Sequence, residues 1–312
     1  MTSSDPIPGT AFVALPDLPD NPRAFDLLRA NFCDVRVAGT RERALAELSA
    51  IGSDVSAAIV GVKEQITAGV LDTLPGLRAL GSVGTGSNHL DLSALRDRGV
   101  EVITTPGVNA VSVAEHAMMM ILALAKQTVA GHAAALSGED RAGMPAPAVE
   151  LRGRRAGVLG AGATARALLP LLRAFGTDPK VWTRTPDNHP DLATRPLEDL
   201  FRHSEILSIH LPLTSGTKGL VGPDLLSLLP EGAMVVNTAR KEIFDLARLP
   251  SLVRDRPDLR FAVDDFDLAA DGTAAALGGH ALLSPHIAGV TVESLAAMQE
   301  SAVRGTIAAL RG

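Results

Sequence analysis

The sequence predicts an α/β protein with doubly wound parallel sheets, divided into two domains. Short apolar runs of strand length alternate with helical stretches along most of the chain, which is typical of parallel sheets. A glycine turn joins one of these runs to a helix near the middle of the chain. At 312 residues the chain is also longer than one ordinary core requires, and two domains are therefore expected.

The composition excludes several classes of partner. Hydrophobic residues make up 46% of the chain and charged residues 21%, as in globular proteins of ordinary type. With no Tyr, one Trp, a net charge of −6 and no basic block, the chain is expected to have no nucleic-acid partner. Its first residues lack a basic segment followed by an apolar run, so a cytoplasmic location without a membrane is expected. Cys33 is expected to be buried, and no metal site is predicted.

The first part of the chain, from Thr10 to about Val102, alternates strands with helices. Five apolar runs are predicted as strands, at Ala11–Leu15, Cys33–Val37, Ala57–Val62, Leu77–Val83 and Val100–Thr104. Helices are predicted between them at Asn21–Asn31, Arg41–Ile51 and Ala68–Leu74. Ligands of such sheets lie at the carboxyl ends of the strands, which makes the loop Gly84–His89 a candidate substrate site.

A long helix is predicted next, from Val111 to about Ser137. Its apolar residues, including the run Met118–Met120, lie on nearly every side, which indicates burial in a core or against another subunit. The segment Gly138–Glu150 contains two prolines and is predicted as an irregular connector.

The glycine turn that follows indicates a dinucleotide site. Gly160 permits the tight turn, Gly162 lets backbone approach a pyrophosphate, and Ala165 takes the helix-packing place of the pattern G-x-G-x-x-G/A. The helix predicted from Thr164 to Phe175 directs its N-terminal N–H groups at the phosphates. A second strand at Lys180–Thr183 completes the βαβ unit. The predicted cofactor contacts in this turn are Gly160, Ala161, Gly162, Ala163 and Thr164.

The end of the second strand predicts which nicotinamide cofactor binds. An NAD site normally places an Asp or Glu there, about 20 residues after the glycines. The segment Trp182–Thr185 contains no acid, and the first one follows at Asp187. Arg184 and Thr185 instead offer a guanidinium and a hydroxyl to an adenosine 2′-phosphate. We therefore expect NADP(H) in preference to NAD(H), whereas loss of the acid alone predicts dual specificity.

Polar residues follow the later apolar strands. Strands are predicted at Ile206–His210, Ala233–Asn237, Phe261–Asp264 and Ala281–Leu283, and helices at Leu197–His203, Pro223–Leu229 and Val292–Leu310. Arg240, Asp264 and His286 stand at or just after strand ends, as Thr85 and Gly86 do in the first part of the chain. Each alone is consistent with a surface ion pair, a cap or a core histidine, but a doubly wound sheet gathers strand ends along one edge.

These segments, taken in order, resemble the D-isomer-specific 2-hydroxyacid dehydrogenases. The resemblance extends from about Leu77 to Leu310, and the first 76 residues support it only by their alternation. The matching segments are Gly84–Gly86 with Leu90–Leu92, Thr105–Asn109, Val113–His116, the glycine turn, Leu211–Thr214, Asn237–Arg240, Val263–Asp264 with Phe266, and Ser284–Gly289.

The resemblance implies a domain arrangement. Two Rossmann-like domains are expected, with a substrate-binding domain over 1–103 that is interrupted by a dinucleotide-binding domain over 104–288. The C-terminal segment 289–312 is expected to return to the substrate domain. Homodimers are expected to form through the dinucleotide-binding domain.

The resemblance also implies an activity, namely hydride transfer between NAD(P)H and a small 2-keto acid, with the 2-hydroxy acid as product. Arg240 is expected to hold the substrate carboxylate and polarise the keto oxygen, and His286 to exchange the proton. The backbone of Thr85 and Gly86 is expected to bind the carboxylate as well. Further cofactor contacts are expected from Leu211, Pro212, Thr217, Thr238, Ala239, Asp264 and His286.

The sequence departs from the family at the partner of the histidine. The family usually places a glutamate five residues after the strand's aspartate, and Ala269 occupies that position here. Asp267 is the nearest alternative carboxylate in sequence, and we predict that it serves this catalytic role. Ala269 favours a second interpretation, a catalytically weak NAD(P)-binding sensor or scaffold. A phosphoglycerate-type dehydrogenase is a third, although Ser82 stands where that branch commonly has an arginine.

Overall fold

The computed structural model describes residues 5–144, 147–188, 191–194, 196–265, 277 and 281–312. The chain forms two compact units, which we call unit one (Met1–Asn109 with Thr291–Gly312) and unit two (Ala110–Val290). Each unit contains a parallel sheet with helices, which confirms the predicted fold class. The units divide after residues 109 and 290, whereas the sequence predicted divisions after 103 and 288; the functions assigned to these domains stay predictions.

Unit one is built on a parallel sheet of order β2-β1-β3-β4-β5. Its strands are β1 (Ile7–Val13), β2 (Phe32–Val37), β3 (Val55–Val60), β4 (Ala79–Ser82) and β5 (Glu101–Ile103), and its first helices are α1 (Pro22–Asn31), α2 (Ala44–Ile51), α3 (Ala68–Asp72) and α4 (Leu92–Asp97). Strand β3 is buried at every position, as a central strand covered on both faces must be. Cys33 is exposed rather than buried, because β2 lies at the edge of the sheet.

Unit two contains a parallel sheet of order β11-β10-β9-β8-β6-β7. Its strands are β6 (Arg155–Leu159), β7 (Asp178–Trp182), β8 (Ile206–Ile209), β9 (Met234–Asn237), β10 (Arg260–Val263) and β11 (Ala281–Leu283). Its helices in the described residues are α5 (Ala110–Lys126), α6 (Thr128–Ser137), α7 (Ala163–Ala174), α8 (Leu197–His203), α9 (Pro223–Leu226) and α10 (Leu249–Asp255). Apolar residues such as Leu159, Val158 and Val236 are fully buried on the two faces of this sheet.

The strand order of unit two reverses between β6 and β8. The loops that follow these two strands, the glycine turn and residues 210–217, therefore flank the switch point at which doubly wound sheets bind ligands. The backbones approach so closely that a Cβ at Gly160 would lie 2.6 Å from the carbonyl oxygen of His210. Gly160 also has a φ of +112°, so this position needs glycine for two reasons.

The predicted long helix is wrong in one respect, since it breaks at Gln127. This residue has a φ of +54°, which ends α5, and α6 continues at an angle of 55°. Met118 and Met120 of α5 are buried as expected, while Met119 is 45% exposed. No single helix in the described residues is long and apolar enough to cross a membrane; α5 and α6 reach that apolar length only when taken together.

The C-terminal helix, α11 (Val292–Arg311), belongs to unit one. Its first turn is closed by a capping box, in which the side chains of Thr291 and Ser294 each accept a bond from the other's backbone N–H. It packs against β4 so tightly that a Cβ at Gly81 would overlap the hydroxyl of Thr306. The helix thus completes the core of unit one from the far end of the chain.

Candidate active site

The turn after β9 presents Arg240. Asn237, the last residue of β9, is fully buried, and its side-chain oxygen accepts a hydrogen bond from the N–H of Ala239 at 2.9 Å. Its amide nitrogen donates to the carbonyl of Arg240, also at 2.9 Å. Arg240 itself donates from Nη1 to the Ala239 carbonyl at 2.7 Å, and the guanidinium is partly exposed at the carboxyl edge of the sheet. A buried asparagine therefore fixes the turn that carries the arginine.

The loop after β11 presents His286 in a left-handed backbone conformation. The φ of His286 is +56°, which is uncommon for a residue with a side chain. Asp264, at the end of β10, holds this loop. Its carboxylate accepts bonds from Ser284 Oγ at 2.5 Å, from the N–H of Ile287 at 2.9 Å and from the N–H of Ala288 at 2.6 Å. These three bonds hold the Ser284 side chain before the strained residue and the backbone directly after it.

Asp264 is 1% exposed, and His116 of α5 extends its network. His116 Nε2 lies 3.2 Å from Ser284 Oγ and 3.9 Å from the Asp264 carboxylate. Since three protein donors already bind Asp264, its observed contacts are structural. The predicted contact of Asp264 with the cofactor stays a prediction.

The structure brings the two predicted catalytic side chains together. Arg240 Nη1 lies 3.5 Å from His286 Nε2, and the imidazole is 52% exposed. A guanidinium that can bind a carboxylate and an imidazole that can exchange a proton therefore stand side by side.

Sequence reasoning missed the carboxylate that contacts the histidine. Asp265 Oδ1 lies 2.6 Å from His286 Nδ1, and Asp265 Oδ2 accepts the N–H of Lys241 at 2.9 Å. The predicted partner, Asp267, lies outside the described residues, as does Ala269. The available signal was the pair of adjacent acids directly after β10, although the pattern does not distinguish which of the two faces the imidazole.

The glycine turn has the features that a dinucleotide requires. Gly162 caps the N-terminus of α7, and a Cβ built on it would meet no described atom within 4 Å, so the space in front of this turn is open. Ala163 and Thr164 form the first turn of that helix. The Thr238 hydroxyl is buried and has no hydrogen-bond partner among the described residues, which suits a residue that meets a ligand. These observations fit a nicotinamide cofactor.

The other predicted cofactor contacts differ in their surroundings. Thr217 Oγ1 donates to the carbonyl of Pro212 at 2.6 Å, so this hydroxyl closes the loop after β8. Arg184 and Thr185 are exposed just after β7, and the N–H of Thr185 donates to Thr183 Oγ1 at 3.3 Å. Ala161, Leu211 and Ala239 are partly buried beside these loops.

His210 follows β8 at the switch point. Burial lowers its pKa to about 4, so the imidazole is neutral at pH 7. Its Nε2 lies 2.8 Å from Ser208 Oγ. The residue whose backbone carbonyl packs against Gly160 therefore carries a neutral imidazole.

In unit one, Thr85 and Gly86 lie at the carboxyl end of β4. The N–H of Thr105 donates to the Gly84 carbonyl at 3.0 Å, which fixes the start of this loop. At its end, His89 is buried with Nε2 3.0 Å from Ser82 Oγ, and burial lowers the pKa of His89. The loop therefore has both ends anchored, and Thr85 is exposed between them.

The fold and the site together define a nicotinamide-dependent oxidoreductase. A glycine turn stands at the switch point of a doubly wound sheet, and a guanidinium, an imidazole and a carboxylate are in contact at the carboxyl edge of that sheet. In the described residues no group of three His, Cys, Asp or Glu side chains is placed to hold a metal. Residues 118–288, more than half of the chain, match the family model of the D-isomer specific 2-hydroxyacid dehydrogenase NAD binding domain. The chain belongs to the D-isomer-specific 2-hydroxyacid dehydrogenase family.

Known proteins agree with this assignment. The chain is 31% identical to the (S)-sulfolactate dehydrogenase of Chromohalobacter salexigens over 279 residues, which are 84% of this chain and 87% of the relative. It is 32% identical to the glyoxylate reductase of Aeropyrum pernix over 262 residues, which are 80% of this chain and 78% of the relative. The predicted class of enzyme, a nicotinamide-dependent dehydrogenase of small 2-hydroxy acids, is confirmed.

A solved structure shows the same fold. The NAD+-bound 3-phosphoglycerate dehydrogenase of Entamoeba histolytica superposes with a TM-score of 0.80 over 96% of this chain and 94% of that chain. The two sequences are 23% identical, so this likeness concerns the fold alone.

Proposed function

We propose that the protein reduces a small 2-keto acid to the 2-hydroxy acid with NADPH. The observation that carries the proposal is the contact between Arg240 and His286 at the edge of the sheet that bears the glycine turn. The guanidinium offers a fixed fork of donors to a planar carboxylate and polarises the neighbouring carbonyl. When bound, the nicotinamide supplies the hydride that the carbonyl carbon receives. His286 Nε2 gives a proton to the carbonyl oxygen, which completes the hydroxyl group.

The sensor interpretation loses its main support. It depended on the absence of a glutamate at position 269, and a carboxylate from Asp265 contacts the imidazole at 2.6 Å.

The substrate experiment measures NADPH oxidation with a panel of keto acids. Glyoxylate, hydroxypyruvate and sulfopyruvate represent the substrates that the relatives' names suggest, and phosphohydroxypyruvate tests the phosphoglycerate-type alternative. We expect turnover with at least one of the first three. Tight NADPH binding without turnover of any keto acid would contradict the proposal, and selective use of phosphohydroxypyruvate would favour the alternative.

The preference for NADPH rests on Arg184. The end of β7 carries an exposed guanidinium and no acid that would repel a 2′-phosphate. A charge-assisted contact contributes about 1.5–3 kcal/mol, which is at least about tenfold in affinity. Fluorescence titration should therefore give a Kd for NADPH below that for NADH, and Arg184→Ala should remove the difference. Arg173→Ala, at the opposite end of α7, is the matched control and should leave both values unchanged. Tighter binding of NADH by the wild type would refute the preference.

We also propose a homodimer formed through unit two. Helix α6 has no buried residue, and two of its apolar side chains, Val129 and Leu136, are 61% and 76% exposed. Val111 and Met119 of α5 add further exposed apolar area, at 62% and 45%. Exposed apolar groups of this size on neighbouring helices favour a protein interface.

The roles of Thr85 and Gly86 in substrate binding, and the cytoplasmic location, stay predictions.

A further inference from the structure

Two adjacent acids at the end of β10 have separate tasks. Asp264 is buried, and its oxygens accept bonds from the loop that carries His286. Asp265 reaches the imidazole itself, and its side chain is 15% exposed. The two carboxylates therefore bind different groups of the same loop.

The Asp265 carboxylate contacts the catalytic histidine and the backbone of the residue that follows the catalytic arginine. Its Oδ1 lies 2.6 Å from His286 Nδ1, while its Oδ2 accepts the backbone N–H of Lys241 at 2.9 Å. Lys241 directly follows Arg240, so this second bond fixes the arginine turn from one side while Asn237 fixes it from the other. One carboxylate is therefore bonded to the proton donor and to the backbone of the substrate-binding turn.

We propose that Asp265 is the positioning residue of this enzyme, which sets the tautomer of His286 and holds the Arg240 turn in register with it. The inference rests on the proposed function of these two residues. It also places this task next to Asp264 in sequence, and not at position 269, where the family usually carries its glutamate and this chain has Ala269.

The physical consequence concerns which nitrogen carries the transferable proton. An Nδ1–H that donates to Asp265 leaves Nε2 as the nitrogen that faces Arg240 and the substrate. The charged imidazolium is the form that donates the proton in reduction. After transfer the neutral ring keeps its Nδ1–H, and Nε2 regains a proton from solvent, to which the side chain is 52% exposed. Among the described residues, Asp264 and His116 also contact this loop: Asp264 accepts bonds from Ser284 and the loop backbone, and His116 lies next to Ser284.

The test compares Asp265→Asn and Asp265→Glu with the wild type. We expect Asp265→Asn to lower kcat for the keto acid by about 10- to 1000-fold, because general acid catalysis contributes about 10²- to 10⁴-fold. KM should rise as well, since the arginine turn loses an anchor, while the Kd for NADPH stays unchanged. The pH dependence of the reduction rate should also change in Asp265→Asn, because the charge next to the imidazole is removed. Asp265→Glu, which keeps the charge, should recover part of the rate.

Asp258→Asn is the matched control. Asp258 stands just before β10, where its carboxylate accepts the N–H of Gly232 at 2.9 Å and the guanidinium of Arg256 at 2.8 Å. Its loss should lower the Tm without changing kcat or the pH profile. This variant separates a general loss of stability from the positioning effect.

A second readout does not depend on turnover. In ¹⁵N-histidine-labelled protein, the His286 signals, identified by comparison with a His286→Asn variant, should show protonated Nδ1 in the neutral ring. Asp265→Asn should change the tautomer populations, and Asp258→Asn should not. A wild-type ring protonated at Nε2, or kcat and pH profile unchanged in Asp265→Asn, would overturn the inference while the proposed function stands. If no keto acid is reduced by the wild type, the proposed function fails and the tautomer measurement still decides the inference.

Discussion

Arg240 and His286 illustrate how much single residues depend on the backbone that presents them. The buried amide of Asn237 organises the arginine turn, and three bonds to Asp264 hold the loop around His286. Neither side chain is deeply buried, so the accuracy of the site comes from the buried polar groups behind it. Substitutions of the two residues can thus test chemistry with little effect on the core.

For Arg240→Lys we expect kcat/KM for the keto acid to fall by at least about 100-fold. A lysine keeps the charge but cannot reproduce the bidentate fork at a carboxylate beside a polarised carbonyl. Steady-state kinetics and NADPH titration should show this loss with unchanged cofactor affinity. An unchanged kcat/KM would place Arg240 outside the site.

For His286 the informative change is His286→Asn. Asparagine tolerates a φ of +56° better than most residues, so the loop conformation should persist while the proton donor is lost. We expect turnover to fall by about 10²- to 10⁴-fold with cofactor affinity nearly intact. Parallel losses of turnover and NADPH binding would mean that the residue is structural.

The residues of the site differed in how far sequence could identify them. Arg240 and His286 follow apolar strands, and parallel topology brings such positions to one edge, so their proximity was predictable. Asp265 was not, because nothing in the pattern distinguishes which of two neighbouring acids faces the imidazole. That choice depends on the left-handed turn at His286, a backbone feature which no glycine marks.

At the scale of elements, the two glycines of the glycine turn are needed for different reasons. At Gly160 a Cβ would collide with the carbonyl of His210, and the backbone is left-handed as well. At Gly162 a Cβ would meet nothing within 4 Å among the described atoms. The first glycine serves the fold of the unliganded chain, and the second keeps open the space that a pyrophosphate needs.

Alanine substitutions should therefore give opposite results at the two positions. Gly160→Ala should destabilise unit two by about 1–3 kcal/mol, because the backbone contact must open. Gly162→Ala should leave the Tm of the free protein nearly unchanged but weaken NADPH binding at least about tenfold. Calorimetry and fluorescence titration on both variants would show the difference. Equal effects on Tm would contradict this division of roles.

The break between α5 and α6 shows where periodicity reaches its limit. Apolar residues resume at Val129 after the polar stretch 126–128, and no glycine or proline lies at the change of direction. Local sequence therefore predicted one helix. The strands were more predictable, since each is a short apolar run bounded by turn residues, and only their ends moved by a few residues.

For the whole molecule, the exposed apolar surface of α6 bears on assembly. Val129→Asp combined with Leu136→Asp should convert the proposed dimer to a monomer, because each substitution places a charge in the proposed apolar interface. Val292→Asp alters a valine that is 83% exposed in unit one and should leave the dimer intact. Sedimentation velocity would distinguish these outcomes. A monomeric wild type would exclude the proposed interface.

His210 makes the stability of the folded protein depend on pH, and this dependence has no connection with hydride transfer. Burial lowers the pKa of His210 from 6.5 to about 4. Between pH 6.5 and pH 4 the imidazole is therefore protonated in the unfolded chain and neutral in the folded chain. The free energy of unfolding contributed by this ring is complete above pH 6.5 and falls as the pH drops toward 4, by at most about 3 kcal/mol.

Urea unfolding between pH 7 and 5 should reveal this loss in the wild type. The loss of stability should be smaller in His210→Asn and unchanged in His203→Gln. The imidazole of His203 contacts only the Asp178 carbonyl among the described contacts. A slope unchanged by removal of His210 would assign the effect to other groups. His210 thus links the turn that Gly160 closes to the acid stability of the folded protein, because the residue whose backbone packs against Gly160 also carries the imidazole with the lowered pKa.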